Sequence, residues 1–251
     1  MSPSFLRSLA RPVAAALLIL LLPGCQDSGS AEMPVDEAAP FGLDPDRLFR
    51  GEVVSDMTII HGDDRRPLGV ARTSISDAEV DGQPALRFVL IQELQMGTMY
   101  DTLMVHRETL LPIRYRNDMG EFQQINMNWD ADGRVRSRVD RSGVITGIDT
   151  VMAEPRLDAA EFSMLVPALP LAEGYAAQIP VTHYENGAGT RSVSVESAGN
   201  VEYNGEMRPV WTVAVETPTG TMRTAIDRET GMVLQTIADL GPGRYFEQIA
   251  R

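Results

Sequence analysis

Two short segments, Val80-Asp81-Gly82-Gln83 and Tyr203-Asn204-Gly205-Glu206, match each other and decide the fold. Asp-Gly and Asn-Gly are the dipeptides that most favour a tight β-hairpin turn, because both turn residues need positive φ. The chain around them is rich in Val, Ile, Thr and aromatic residues in short alternating runs, as in residues 85–92 and 209–216. This pattern is typical of antiparallel strands and predicts an all-β domain.

The match between the two segments extends along the chain at an offset of 121 to 124 residues. Phe88 lies over Trp211, residues 105–109 lie over 226–230, and residues 121–125 lie over 245–249. We therefore expect two copies of a strand-turn-strand-strand-strand unit, over residues 68–129 and 191–250. Together they predict one mainly β domain over 46–251, a single strongly curved antiparallel sheet of about a dozen strands forming a half-barrel or open barrel.

One short helix is predicted between the two copies. Asp158-Ala159-Ala160-Glu161 has the spacing of a capping box, in which the first and fourth side chains satisfy free backbone N–H groups. After it, Phe162, Leu165, Val166 and Leu169 fall on one helical face, and Pro167 and Pro170 end the helix early. We expect this apolar face to pack on the inner face of the sheet.

The N-terminus has the order of parts of a secretory signal: Arg7 and Arg11, an apolar run over 13–22, and then Leu22-Pro23-Gly24-Cys25. The apolar run is too short to span a membrane. The last four residues resemble the bacterial lipobox. That resemblance implies that residues 1–24 are removed as a signal peptide and that Cys25, the only cysteine, carries the lipid.

The lipid on Cys25 is then the expected membrane anchor, in the bacterial cell envelope. Gln26 is not the aspartate that lipoprotein families use for retention in the inner membrane, so the resemblance implies the outer membrane, facing the periplasm. Residues 26–45 contain acids, small residues and prolines without apolar periodicity. We expect a disordered tether there.

Charge excludes several classes of function. The formal net charge is −13, and removal of Arg7 and Arg11 with the signal peptide makes it −15. Such an acidic chain is not expected to bind nucleic acid. It contains no lysine, which excludes Schiff-base catalysis and lysine-dependent phosphate loops.

The residues typical of catalytic or metal sites have turn-like settings in this sequence. His106 matches Asp227, which begins Asp-Arg-Glu-Thr-Gly, a hairpin turn in which Gly231 takes positive φ. Leu110 replaces that glycine in the first copy, so we expect a different turn geometry there. His61 and His183 also lie in loop-like sequence, and we expect no metal and no cofactor. Without a Gly-x-Ser-x-Gly motif or a free cysteine, a non-enzymatic protein is expected.

The segments 226–231, Ile-Asp-Arg-Glu-Thr-Gly, and 168–175, Ala-Leu-Pro-Leu-Ala-Glu-Gly-Tyr, resemble an uncharacterised family of bacterial exported β proteins. More remotely, the layout is similar to the LolA and LolB lipoprotein carriers, whose open β-barrel wraps helices and shelters acyl chains. That resemblance implies a shared shape, and shape alone does not determine function.

We expect a membrane-anchored protein that holds a lipid or other apolar ligand between sheet and helix. The predicted lining residues are Phe162, Leu165, Leu169 and Trp211. Methionines either fill gaps in the core or line such a cavity; they are Met96, Met99, Met104, Met119, Met127, Met152, Met164, Met207, Met222 and Met232. The alternative is an envelope scaffold or assembly factor that binds a protein partner and has no cavity. A third hypothesis, an envelope hydrolase, requires Asp, Glu or His side chains to converge in one cleft.

Overall fold

The computed structural model describes residues 39–251. The predicted signal peptide, Cys25 and residues 26–38 of the predicted tether lie outside the described residues. Residues 39–45 differ from the expected disordered tether, because they form part of the folded domain. They contain the 3-10 turn Pro40–Gly42, the side chain of Leu43 is buried, and the Asp44 N–H donates to the Ala168 carbonyl at 2.8 Å.

The domain is mainly β, as predicted. Within the described residues the strands are β1 (Gly51–His61), β2 (Asp64–Val80), β3 (Gln83–Leu94), β4 (Gly97–His106), β5 (Pro112–Asp118), β6 (Gln124–Trp129), β7 (Arg134–Arg141), β8 (Val144–Thr146), β9 (Asp149–Val151), β10 (Leu157–Asp158), β11 (Ala176–His183), β12 (Gly187–Tyr203), β13 (Glu206–Thr217), β14 (Gly220–Asp227), β15 (Val233–Asp239) and β16 (Arg244–Ala250). One α-helix, α1 (Phe162–Leu165), is followed by the 3-10 turn Val166–Ala168, and a further 3-10 turn, Pro45–Arg47, precedes β1.

All sixteen strands belong to one sheet, which exceeds the predicted dozen. Its order is β10-β11-β12-β13-β14-β15-β16-β1-β2-β3-β4-β5-β6-β7-β8, with β9 also paired to β7. Neighbouring strands are antiparallel except β10 and β11. The last strand pairs with the first, from Ser55 opposite Ala250 to His61 opposite Arg244, so the two parts of the chain meet at the β16–β1 seam.

The two predicted hairpin turns are confirmed. Asp81 and Gly82 join β2 to β3 with φ of 51° and 80°, and Asn204 and Gly205 join β12 to β13 with φ of 53° and 78°. The strands on either side are equally long in the two places, 17 residues before the turn and 12 after it. The matching sequences therefore occupy corresponding hairpins.

The expected difference between the β4–β5 and β14–β15 turns is wrong. Leu110 has φ of 56° and its N–H donates to the His106 carbonyl at 2.9 Å, while Gly231 has φ of 71° and donates to the Asp227 carbonyl at 2.9 Å. Leu110 therefore takes the left-handed conformation that glycine takes in the other turn. Its side chain is fully buried, and the free energy gained by this burial offsets the cost of the strained backbone conformation.

The sheet curves strongly. Strands β4 and β14 are six positions apart in strand order, which in a flat sheet would separate them by about 29 Å. Asp101 on β4 and Thr224 on β14 nevertheless line the same cavity. Near the two ends of the strand order, the Ser137 hydroxyl on β7 donates to the Tyr184 carbonyl beside β11. The sheet is not closed by a continuous ladder.

The helical segment packs against the sheet. The side chains of Phe162, Leu165 and Leu169 are buried in the main apolar core together with strand residues such as Phe88 and Leu103. The helix begins later than the capping-box spacing predicts, but Asp158 Oδ2 does accept the Glu161 N–H at 2.7 Å. Pro167 lies in the 3-10 turn that ends the segment.

A cavity between the sheet and the helical segment

A cavity of about 350 Å³ lies between the sheet and the helical segment. It is centred on the β16–β1 seam, because β14, β15 and β16 line one side and β1, β2, β3 and β4 line the other. Leu48 and Phe49, which precede β1, and residues of the 160–167 segment complete the wall. Ligand pockets are typically about 300 to 1,000 Å³, so this cavity is suited to one small ligand.

Apolar side chains form the larger part of the wall, and neutral polar side chains such as Gln92, Thr224 and Gln248 form much of the rest. Four methionines line it, together with aliphatic side chains such as Ile75 and Leu90 and the aromatic ring of Phe246. The four are Met99, Met164, Met222 and Met232. The flexible thioethers give this wall an adaptable apolar surface. Both predicted roles of methionine occur, because these four line the cavity whereas Met127 is fully buried in the core.

Two methionines occupy matching places on opposite sides of the seam. Met99 is the third residue of Gly97-Thr98-Met99 at the start of β4, and Met222 is the third residue of Gly220-Thr221-Met222 at the start of β14. The identical tripeptides lie at the same offset as the hairpin turns and are a sequence signal for these cavity positions.

Two carboxylic acids, Asp101 and Glu161, also line the cavity. Asp101 lies on β4, where alternate residues point inward, so its side chain shares a face with buried Leu103 and Val105. Its Oδ1 accepts hydrogen bonds from Tyr115 Oη at 2.7 Å and Asn117 Nδ2 at 2.9 Å. An acid at an inward position of an apolar strand was a signal in the sequence, and the sequence analysis missed it.

Glu161 enters the cavity from the opposite wall, directly before α1. Only its backbone takes part in the capping interaction seen in the structure, through the bond to Asp158. The sequence predicted that the Glu161 side chain caps the helix, but in the structure its carboxyl group lines the cavity.

Burial dominates the electrostatics of this region. It raises the pKa of Asp101, against the hydrogen bonds from Tyr115 and Asn117, which lower it. Burial, with smaller contributions from the charges of Asp101 and Asp158, raises the pKa of Glu161 well above its usual range. Burial also raises the pKa of Asp158 to about 7, although backbone N–H groups stabilise its ionised form. Burial thus shifts the pKa of all three acids in the direction that disfavours their ionised forms.

The four predicted lining residues have other places. Phe162, Leu165 and Leu169 face the packed core, and the cavity is lined instead by Ala160, Glu161, Ser163, Met164 and Pro167. Trp211 is half-buried on β13, outside the cavity wall, and the Arg228 guanidinium lies 4.2 Å from its ring centroid. A cavity therefore lies between the sheet and the helical segment, where the ligand site was predicted. The side of the segment that lines it is not the side that carries Phe162, Leu165 and Leu169.

Residues 39–251 offer neither a metal site nor a membrane-spanning helix. This range contains no group of three or more His, Cys, Asp or Glu side chains placed to hold a metal ion. None of its helices combines the length and apolar character needed to cross a membrane.

A strongly curved, open, mainly β sheet around a partly apolar cavity defines the structural class. By sequence, the chain belongs to the family described as "Protein of unknown function (DUF3108)", whose model matches residues 56–246. The matched range contains both hairpin turns and both cavity acids. No curated protein matches the chain.

Proposed function

We propose that this protein is a non-enzymatic, lipid-anchored binding protein of the bacterial cell envelope that holds a small ligand with an apolar body. The observation that carries the proposal is the cavity of about 350 Å³ with its largely apolar wall. A concave, partly apolar surface of this size is typical of ligand sites, because an apolar group bound there is removed from water.

The size of the cavity limits the occupant. At about 350 Å³ it lies near the lower end of ligand pockets, which favours one small molecule over the several acyl chains of a lipoprotein cargo. The similarity to the LolA and LolB carriers is thus proposed at the level of an open curved sheet with a covered inner face. The cargo proposed here is smaller.

The signal-like N-terminus supports an envelope location. The lipobox-like sequence ending at Cys25 supports lipid attachment, and Gln26 supports the outer membrane, facing the periplasm. The formal net charge of −13 disfavours adsorption to anionic headgroups, so the proposed attachment rests on the lipid. We further propose that the halves on either side of the seam arose by duplication, which the matched hairpins and strand lengths support.

The proposal is tested by filling the cavity. Ile75 lines it from β2, and Ile75→Trp places a large ring in the space that the ligand needs. We expect the full chain to bind decanol, a neutral apolar probe, and the variant to bind it at least about tenfold more weakly, measured by isothermal titration calorimetry. The loss of burial for only a few methylenes, at about 0.8 kcal/mol each, is sufficient for this change.

Ile145→Trp is the matched control, since Ile145 lies on β8 and is 58% exposed. It is expected to bind decanol as the wild type does. If the wild-type chain binds no probe with an apolar body, or if Ile75→Trp binds decanol as tightly as the wild type does, the proposed function is contradicted.

The second candidate function is a scaffold that binds an envelope protein. Short strands β8 and β9 lie at one end of the sheet and expose Val144, Ile145 and Val151. Apolar side chains beside an incompletely paired edge favour strand addition by a partner. Crosslinking at Val144 in the native envelope distinguishes the two functions, because the ligand-binding function requires no crosslinked protein.

A further inference from the structure

The cavity holds two buried carboxyl groups that have too few partners. Asp101 is 2% exposed and Glu161 is 6% exposed, and both line the cavity. Within residues 39–251, no hydrogen bond reaches the Glu161 carboxyl group, and both bonds to Asp101 go to Oδ1. Asp101 Oδ2 and both Glu161 oxygens therefore remain available to a ligand.

The cavity wall provides no positive charge to balance these acids. None of its described residues is an arginine or histidine, and the whole chain contains no lysine. Burial without a nearby cation disfavours the ionised form of a carboxyl group. A positively charged ligand would favour the ionised form of a carboxyl group beside it.

The chemistry of the wall discriminates between polar groups on a ligand. A carboxylate or phosphate on the ligand would meet two acids and no cation, and anion sites rely on arginine, lysine or backbone N–H groups. A hydroxyl donates one hydrogen bond and accepts others, but it supplies no positive charge to stabilise an ionised carboxylate. An ammonium group carries three N–H donors and one positive charge, which match oxygens on two opposing walls.

We propose that the ligand is an amphipathic amine, bound as the ammonium ion between Asp101 and Glu161 with its apolar body against Met99, Met222 and Phe246. This inference rests on the proposed binding function and specifies the ligand class. On binding, the ammonium ion keeps all of its own protons, and its single positive charge balances one ionised carboxylate. The other carboxyl group stays protonated and accepts an N–H through its carbonyl oxygen.

The test compares three probes with the same alkyl chain: decylammonium, decanol and decanoate. The full chain is titrated with each at pH 7.5 by isothermal titration calorimetry. We expect decylammonium to bind at least about tenfold more tightly than decanol, and decanoate to bind most weakly. If decanol or decanoate binds as tightly as decylammonium, the amine proposal is overturned while the proposed cavity function stands. If none of the three binds, both fail.

Variants locate the selectivity. Asp101→Asn with Glu161→Gln keeps side-chain size and removes both charges, and it is expected to bring the affinities for decylammonium and decanol within about threefold of each other. The control removes two exposed acids from turns, Asp63→Asn with Glu108→Gln, and is expected to keep the wild-type preference. If the double cavity variant does not fold, Glu161→Gln alone is used and is expected to reduce the preference at least threefold. An unchanged preference in a folded cavity variant overturns the proposal.

Discussion

Asp158 shows how one buried carboxyl group makes folding sensitive to pH. It is fully buried, its Oδ2 caps the backbone at Glu161, and its Oδ1 has no hydrogen-bond partner within residues 39–251. Desolvation raises its pKa to about 7, from an ordinary value of 3.8. Between these two pKa values, the Asp158 carboxyl group is protonated in the folded state and ionised in the unfolded chain.

The sign of the effect follows from proton binding. Between about pH 4 and pH 7 the folded protein binds more protons at Asp158 than the unfolded chain does. The free energy of unfolding therefore falls as pH rises, by up to about 1.4 kcal/mol per pH unit from this group. Asp158→Asn keeps an oxygen for the capping bond and removes the titration. We expect its unfolding free energy, measured by urea denaturation at pH 5 and pH 7.5, to fall less than that of the wild type.

Asp101 and Glu161 also have raised pKa values, so part of the slope remains in this variant. Asp63→Asn, at an exposed turn residue, makes the same chemical change and is expected to keep the full wild-type slope. Equal slopes for Asp158→Asn and the wild type would show that Asp158 does not hold the proton.

At the residue scale, the sequence predicted turns better than it predicted the site. Asn204-Gly205 and Asp81-Gly82 carry their conformational preference locally, so their turns were predictable without tertiary information. Asp101 was not found, because an acid within a strand usually faces solvent and only the positions of its neighbours on β4 show that it points inward. Leu110 was mispredicted because tertiary burial overrides its local preference against positive φ.

The helical segment has two functional sides. Phe162 and Leu165 pack into the main core, whereas Ser163 and Met164 face the cavity. The apolar periodicity correctly indicated that one side of the segment is buried. It did not indicate that the opposite side also faces protein, across the cavity. Periodicity does not distinguish a close-packed neighbour from a cavity, so it could not show that Ser163 and Met164, and not Phe162 and Leu165, line this cavity.

Leu165 tests the contribution of the core side. It is 1% exposed, and Leu165→Ala is expected to lower the free energy of unfolding by about 2 to 5 kcal/mol through lost burial and a new void. Leu240→Ala removes the same atoms at a site that is 42% exposed and is expected to cost less than about 1 kcal/mol. Urea denaturation of both variants checks the difference, and similar costs would show that the helical segment is not anchored through Leu165.

The whole molecule is organised around the β16–β1 seam. The C-terminal strand completes the sheet beside the first strand, and the seven strands from β14 to β4 form the sheet wall of the cavity. Alternation and turn chemistry predicted an antiparallel sheet, and the sequence match indicated corresponding hairpins. Neither specifies which strands meet at a junction between distant parts of the chain, so the position of the cavity required the tertiary structure.

Strand number was underestimated for a related reason. The sequence match covers residues 68–129 and 191–250, whereas β8, β9 and β10 lie between them and are only two or three residues long. Such strands carry too few residues for a period-two pattern and depend on pairing partners for their existence. Their short length leaves one end of the sheet incompletely paired, beside the exposed apolar residues of β8 and β9.

Native mass spectrometry shows directly whether the cavity holds a small ligand with an apolar body, as proposed. The full chain is extracted gently from its own host's envelope, beside the Ile75→Trp variant. We predict a mass excess on the wild-type chain that disappears on denaturation, is absent or strongly reduced in the variant, and yields an amphipathic amine when the released molecule is analysed. A wild-type chain without bound mass, or the same bound mass on Ile75→Trp, would contradict the claim and favour the scaffold function.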